Sequence, residues 1–296
     1  MSRKVGIVGA GTMGSGIAQL AAESGFDVIL WDMNESFVNN GYNRIASQLE
    51  RRVERGKLTA EQKDEILARI RKVTDLQELK DVEAVIEAVV EVMDVKKDIF
   101  SKLDEIVGPE TILATNTSSL SITVIAEATK RPDRVAGMHF FNPAPVMKLV
   151  EVVRGYKTSD DTVEKLKQLA RDFNKEPIEV KKDYPGFIVN RIMMPHLLEA
   201  IRLYEDGVAS IEDIDKAVKL GLNYPMGPFE LNDFGGNDIC LYVADYFYEE
   251  FKSERWAAPQ TLRRMVRAGK LGRKTGSGWY DYDKKESRHH AANSCR

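Results

Sequence analysis

Three groups of residues in this chain have the types and spacing to do chemistry. The first is the loop Gly9-Ala10-Gly11-Thr12-Met13-Gly14, which follows the apolar run Val5-Gly6-Ile7-Val8 and opens a helical pattern. A loop of this kind between a buried strand and a helix suits a dinucleotide. Gly9 permits the tight turn, Gly11 lets the backbone approach a pyrophosphate, and Gly14 lets helix and strand pack closely. The helix N-terminus, at Thr12 and Met13, offers free N–H groups and the positive end of its dipole to the phosphates. Asp32 stands at the end of the next predicted strand, Asp27–Trp31. A carboxylate there accepts hydrogen bonds from ribose hydroxyls and repels a 2′-phosphate, so the pattern favours NAD over NADP. The competing account is a structural turn and a surface aspartate. The full order of strand, loop, helix, strand and acid favours the cofactor.

The second group is a base and its partner. Moving a hydride to a nicotinamide also releases a proton, and the protein must take it up. His139 suits that task. It ends the predicted strand Arg134–His139, at the edge where doubly wound sheets place their ligands, and a histidine titrates near working pH. The turn Phe140-Phe141-Asn142-Pro143-Ala144-Pro145-Val146 leads to the strand Leu149–Arg154, where Glu151 is flanked by Leu149, Val150, Val152 and Val153. A carboxylate in so apolar a run is costly to bury without a partner. A hydrogen bond to His139 would supply one, fix the imidazole tautomer and stabilise the imidazolium. From the residues alone, His139 can equally be a core histidine with its ring nitrogens satisfied.

The third group is scattered and polar. Thr115-Asn116-Thr117-Ser118-Ser119 follows the predicted strand Thr111–Thr115; its side chains either cap a helix or face the same crevice, and one serine can cap while another binds substrate. Asn190, early in the helical stretch Phe187–Asp206, is polar among Ile188, Val189 and Met193. It either reaches a cleft between domains or is a partly exposed helix residue. Arg51, Arg52, Arg55 and Lys57 crowd the end of the helical stretch Glu35–Arg55. They form either a solvated face or a set of cations for a polyphosphate. His196, beside Met193, Met194 and Leu197, reads as a packing or surface histidine. His289-His290 lacks convergent ligands, and no metal site is assigned.

The elements that must position these groups alternate through the first 180 or so residues. Helical patterns run over Thr12–Ser24, closed by Gly25, and over Thr59–Lys72, opened by the capping-box pair Thr59 and Gln62. Further strands are expected at Ala84–Glu87 and Glu176–Val180. Short apolar strands alternating with helices indicate a largely parallel sheet covered on both faces. Near Lys181-Lys182-Asp183-Tyr184-Pro185-Gly186 the pattern changes, and a Pro-Gly pair punctuates the chain. Beyond it come helices over Ile211–Leu220, Leu231–Phe251 and Ala257–Ala268, with Ser210 and Asn232 as candidate N-caps. The expectation is an α/β domain over 1–183 and a smaller all-α domain over 184–296, with a frayed polar tail.

Composition narrows the function. Hydrophobic residues make up 43% and charged residues 30% of 296 residues, which suits a globular protein with a proper core. A net charge of −3, with acids and bases interspersed, gives no reason to expect nucleic acid as a partner. No apolar run is long enough to span a bilayer. Met1-Ser2-Arg3-Lys4 runs straight into a strand pattern, leaving no room for a cleavable leader. Two cysteines, Cys240 and Cys295, are too few for a disulfide framework or a zinc site, which fits a reducing cytoplasm.

Taken together, the motifs resemble one family. GAGTMGSGIAQ at 9–19, NTSSLSI at 116–122, MHFFNPAPVMKLVEVVRG at 138–155, PGFIVNRI at 185–192, NYPMGPFEL at 223–231 and LGRKTGSGWYDY at 271–282 are similar to the 3-hydroxyacyl-CoA dehydrogenases, most of all the bacterial 3-hydroxybutyryl-CoA dehydrogenases. The resemblance spans Gly9 to Tyr282. It implies a Rossmann-type, mostly parallel sheet domain followed by a helical domain, with NAD as cofactor and an acyl-CoA as substrate. It further implies His139 as general base, oriented by Glu151, with Ser118 and Asn190 at the substrate's reacting oxygen. Asp32 would hold the adenine ribose, Glu91 and Lys96 would line the nicotinamide-side and ribose contacts, and Asn116, Ser118 and Asn142 would also bind the cofactor. Arg51, Arg55 and Lys57 would meet coenzyme A, although the family often carries lysines there. Val92 stands where the family usually has a polar residue. The resemblance also implies a homodimer through the helical domain. Other readings are a dehydrogenase of a dicarboxylyl-CoA or a sugar acid, and a non-catalytic NAD-binding relative.

Overall fold

Apolar runs of four to six residues become the strands of one sheet in the computed structural model, which describes residues 3–282. Cys295, His289-His290 and the polar tail lie outside the described residues. The chain divides into two compact units, Met1–Phe187 and Ile188–Arg296.

The first unit contains, in chain order, β1 (Lys4–Val8), α1 (Thr12–Glu23), β2 (Asp27–Trp31), α2 (Glu35–Glu54), α3 (Ala60–Ala68), β3 (Ile70–Val73), β4 (Ala84–Glu87), α4 (Met93–Ile106), β5 (Ile112–Thr115), α5 (Ile122–Ala126), β6 (Val135–Phe140), β7 (Leu149–Arg154), α6 (Asp160–Asp172) and β8 (Glu176–Val180). The strands form an eight-stranded sheet in the order β3-β2-β1-β4-β5-β6-β7-β8. Every neighbouring pair is parallel except β6 and β7. This is a Rossmann-type arrangement, whose strand order reverses beside β1 and β4. Ligands bind at the carboxyl ends of the strands at such a switch point.

Side-chain alternation sorts the strand residues into two faces. Ile7, Leu30, Ile86, Ala114, Met138 and Val152 join the core under α1, α2 and α6. The intervening residues face the other way: Val85 and Glu87, Leu113 and Thr115, Gly137 and His139, Glu151 and Val153. Gly137 is glycine for a packing reason. A Cβ there would lie 2.8 Å from Val153 Cβ and 3.0 Å from Ile122 Cδ1, so α5 sits close on this second face.

Two expectations need correction here. The helix predicted over Thr59–Lys72 forms its capping box but ends at Ala68. Ile70–Val73 is instead strand β3, paired in parallel with β2 through Val28↔Ile70 and Trp31↔Val73. Its exposed Arg71 and Lys72 suit an edge strand, whose free side charged residues protect. The second correction lies in the other unit, which comprises α7 (Val189–Glu205), α8 (Ile211–Gly221), α9 (Pro228–Gly235), α10 (Asn237–Phe251) and α11 (Gln260–Arg267). The stretch read as one helix over Leu231–Phe251 is two, broken at Gly236 with φ +106°. Asn232 is therefore no cap but a buried residue inside α9.

Ser210 does cap α8, accepting from Asp213 N at 3.1 Å. The α9 N-terminus is satisfied by a distant carboxylate, because buried Asp215 accepts from Phe229 N at 2.8 Å and Glu230 N at 3.0 Å. Buried Asp233 accepts from Trp279 N and Tyr280 N, both at 2.9 Å, and so pins the last described segment onto α9. No helix among the described residues is long and apolar enough to cross a membrane.

Candidate active site

The glycine loop forms where β1 hands over to α1. Gly9 has φ +102°, and a Cβ on it would meet Ala88 O at 2.7 Å. A Cβ on Gly14 would lie 1.8 Å from Gly9 O, so α1 can pack this close to the loop only with glycine there. Gly11 is different: nothing lies within 4 Å of its Cβ position, and its bare backbone faces open space. The helix begins at Gly11 with no side-chain cap and no acid in its first turn. The amides at Thr12 and Met13 therefore meet an anion-receptive end. Asp32, at the end of β2, accepts from Ala10 N and from Met33 N, both at 2.7 Å, which ties its carboxylate to the loop. Uncrowded space over Gly11, an uncapped helix and an adjoining carboxylate fit a dinucleotide.

His139 and Glu151 are direct cross-strand partners in the antiparallel β6–β7 pair. Their side chains share the second face and meet at 2.7 Å between Nδ1 and Oε2. Both are buried, at 5% and 0% exposure. Two aromatic rings pack against the imidazole, Phe141 tilted at 4.6 Å and Phe187 edge-on at 5.6 Å between centroids. With Nδ1–H committed to the carboxylate, Nε2 carries the lone pair and is the nitrogen that can take a proton. The sheet register alone brings these residues together, since twelve positions separate them in the chain.

The loops after β4 and β5 are fastened to each other by charge. Lys96 on α4 is 1% exposed. Its ammonium lies 2.7 Å from Glu87 Oε1 and 3.3 Å from Glu91 Oε2. Glu91 Oε1 in turn accepts from the Thr117 hydroxyl and, at 3.1 Å, from Ser118 N. Of the residues expected at the cofactor, Glu91 is the half-exposed end of this network and Lys96 its buried centre. The Ser118 hydroxyl is half-exposed and makes no hydrogen bond to a described residue. Asn116 Oδ1 accepts from Phe140 N at 2.9 Å, so Asn116 braces the chain next to His139. Asn142 is exposed and precedes a cis proline.

Arg51, Arg55 and Lys57 are exposed at the end of α2, and no carboxylate among the described residues pairs with them. Arg52 differs, since it holds Glu23 at 2.6 Å. Asn190 is half-buried in the first turn of α7, in the second unit. His196 lies beside Tyr224 at 5.7 Å. Among the described residues no cluster of histidine, cysteine or acidic side chains is arranged to hold a metal. A cavity of about 380 Å³ opens at the opposite, amino edge of the sheet, lined by Arg3, Glu83, Thr111 and Lys165 among others. Arg3 is already engaged there by Glu83 and Asp172.

One residue escaped the sequence reading. Glu87 ends the apolar strand Ala84-Val85-Ile86 and is fully buried. The available signal was the one that drew attention to Glu151: an acid in an apolar run.

Family models match both units. Residues 4–184 match the 3-hydroxyacyl-CoA dehydrogenase NAD-binding domain, and residues 186–282 match the C-terminal domain of the same family. A 3-hydroxybutyryl-CoA dehydrogenase of Clostridioides difficile is 48% identical over 281 residues, 95% of this chain and 100% of the relative. The crystal structure of (S)-3-hydroxybutyryl-CoA dehydrogenase from Ralstonia eutropha superposes with a TM-score of 0.91 at 47% identity, covering 96% of this chain and 100% of that one. A 3-hydroxyadipyl-CoA dehydrogenase of Escherichia coli is 46% identical over 279 residues, 94% of this chain but 58% of the relative.

Proposed function

Because the chain belongs to the NAD-dependent 3-hydroxyacyl-CoA dehydrogenase family, we propose that it interconverts (S)-3-hydroxybutyryl-CoA and acetoacetyl-CoA, with His139 as general base. The observation that carries the assignment of the base is the buried His139–Glu151 pair at the carboxyl edge of the sheet. NAD held by the glycine loop and Asp32 would supply the hydride acceptor for C3 of the substrate, or the hydride donor in reduction. His139 Nε2 takes the hydroxyl proton as the C–O single bond becomes a carbonyl. Glu151, opposite Nδ1, stabilises the imidazolium that results and keeps the ring in its productive orientation. Ser118, whose half-exposed hydroxyl makes no hydrogen bond to a described residue, binds the reacting oxygen, and the family resemblance gives Asn190 the same task. Asp32 and the loop Gly9 to Gly14 hold the adenosine half of the cofactor. Glu91, Lys96, Asn116 and Asn142 set the surroundings of the nicotinamide half.

Arg51, Arg55 and Lys57 take the coenzyme A phosphates, which favours a thioester over a free acid. The 3-hydroxyadipyl-CoA relative makes a dicarboxylyl-CoA the second reading. Mixing the protein with NADH and either acetoacetyl-CoA or 3-oxoadipyl-CoA tests both, read by loss of reduced-nicotinamide absorbance. Higher kcat/KM for acetoacetyl-CoA supports the proposal, and the reverse order favours the second reading. NADH binding without turnover of either identifies a non-catalytic relative. The proposal includes a cytoplasmic homodimer formed through the second unit, which leaves Ile192, Val208, Leu220 and Leu222 exposed for a second copy to cover. Sedimentation at equilibrium checks the dimer.

A further inference from the structure

We propose that Glu87 is a positioning residue, the buried anchor that holds the Thr117–Ser119 loop in the geometry the reaction uses. The inference rests on the reading above that Ser118 meets the reacting oxygen. Glu87 is 0% exposed at the end of β4, on the same sheet face as Thr115, its register partner on β5, and as His139 and Glu151. Its carboxylate is used on both oxygens. Oε1 accepts from Lys96 Nζ and from Val89 N, both at 2.7 Å. Oε2 accepts from the Thr115 hydroxyl at 2.7 Å.

Two routes lead from these bonds to the same loop. Through charge, Lys96 holds Glu91, whose other oxygen takes Thr117 Oγ1 and Ser118 N. Through the strand end, Thr115 Oγ1 takes Thr117 N at 3.2 Å, beside the ladder bond from Asn116 N to the Glu87 backbone carbonyl at 2.7 Å, which needs no side chain. Asn116 in turn braces Phe140, next to His139. A carboxylate that only balanced a buried lysine would need neither Thr115 nor Val89. Convergence of both routes on one short loop points to placement of that loop.

Glutamine is the same shape but carries an NH2 group. Turned toward Lys96 and Val89 it meets two donors; turned toward Thr115 it takes the place of an acceptor. The first orientation loses both bonds on that side; the second reverses the Thr115 bond, with the hydroxyl now accepting, and in either case Lys96 loses its buried counter-charge. The variant Glu87→Gln is compared with Glu87→Gln/Lys96→Met, which removes the buried charge pair together and protects the fold, and with Thr115→Val, which cuts only the second route. Each is expected to lower kcat by roughly 10–100-fold, the scale of a small misplacement of a reacting group. KM for acetoacetyl-CoA is expected to stay within about twofold. In a Ser118→Ala background the same changes should cost little more, because they act through Ser118.

Amide hydrogen exchange in the ligand-free protein gives a readout independent of activity. Exchange at residues 117–120 should quicken at least about tenfold in each variant while β1 and β4 keep their protection. Unchanged exchange in that loop overturns the proposal, whatever the activity. So do losses that multiply fully with Ser118→Ala, or recovery of wild-type kcat in the charge-neutral double variant. If the unaltered protein turns over neither oxoacyl-CoA, the functional reading fails instead, and the exchange result still decides whether Glu87 anchors the loop.

Discussion

Replacing Glu151 by glutamine tests the proposed catalytic pair most directly. The substitution keeps size and an oxygen that can accept from His139 Nδ1–H, so it removes charge more than shape. The nitrogen and oxygen are 2.7 Å apart and both side chains are buried. When His139 takes the substrate proton, the imidazolium and carboxylate charge centres stand about 4 Å apart, worth about 4 kcal/mol at an effective dielectric constant near 20. The neutral hydrogen bond that glutamine retains recovers about 1 kcal/mol. The net loss of about 3 kcal/mol in the transition state corresponds to a fall of roughly 10²–10³ in kcat. The assay is acetoacetyl-CoA-dependent oxidation of NADH, with NADH affinity and melting temperature measured beside it. His139→Gln should fall by roughly 10²–10⁴, and the double variant should be little worse than His139→Gln alone, since the two act as a unit. A folded Glu151→Gln protein within about fivefold of wild-type kcat would refute the reasoning. A rise in KM alone would make Glu151 a binding residue and remove it from the proton-transfer step.

Four further outcomes are expected. Asp32→Gly frees the Ala10 amide and removes the carboxylate that repels a 2′-phosphate, so the preference for NAD over NADP should weaken; unchanged selectivity in kcat/KM would take Asp32 out of the cofactor site. Gly14→Ala puts a methyl group 1.8 Å from Gly9 O, and NADH titration should show binding lost together with a lower melting temperature. Val92 opens α4 with no side-chain cap and is 50% exposed, so Val92→Ser should add about 1 kcal/mol, seen as a rise of roughly 2–4 °C in Tm. Burial pushes the Cys240 thiol up to about 12. At pH 8 only about one molecule in ten thousand then carries the reactive thiolate, and peptide mapping after treatment with a thiol reagent should find Cys240 unmodified until the protein unfolds.

Local signals in the chain carried most of the first unit. β1, β2, β4, β7 and β8 lie within a residue of where apolar runs stop at polar or glycine residues. Gly25, Thr59 and Ser210 punctuate helices as their chemistry requires. β3 was illegible for a physical reason: Ile70-Arg71-Lys72-Val73 continues the helical pattern before it, and its strand identity comes from hydrogen bonds to β2. The break at Gly236 was hidden because the apolar pattern runs on across it. The cap of α9 was equally hidden, because Asp215 supplies it from another helix.

The amino-acid sequence by itself determined which groups were available: a glycine loop placed between strand and helix, an acid after the second strand, and a histidine and a glutamate each set in apolar strands. Those are short-range patterns, and period and residue type are enough to read them. Tertiary structure alone decided which of them touch. The antiparallel register of β6 and β7 sets His139 opposite Glu151 at hydrogen-bond distance. The parallel register of β4 and β5 sets Glu87 opposite Thr115, and with it the anchor of the serine loop. The cost of burying Glu151 suggested His139 as its partner, but nothing of the kind pointed to Glu87 and Thr115; hydrogen bonding between strands, not distance along the chain, chose both pairs.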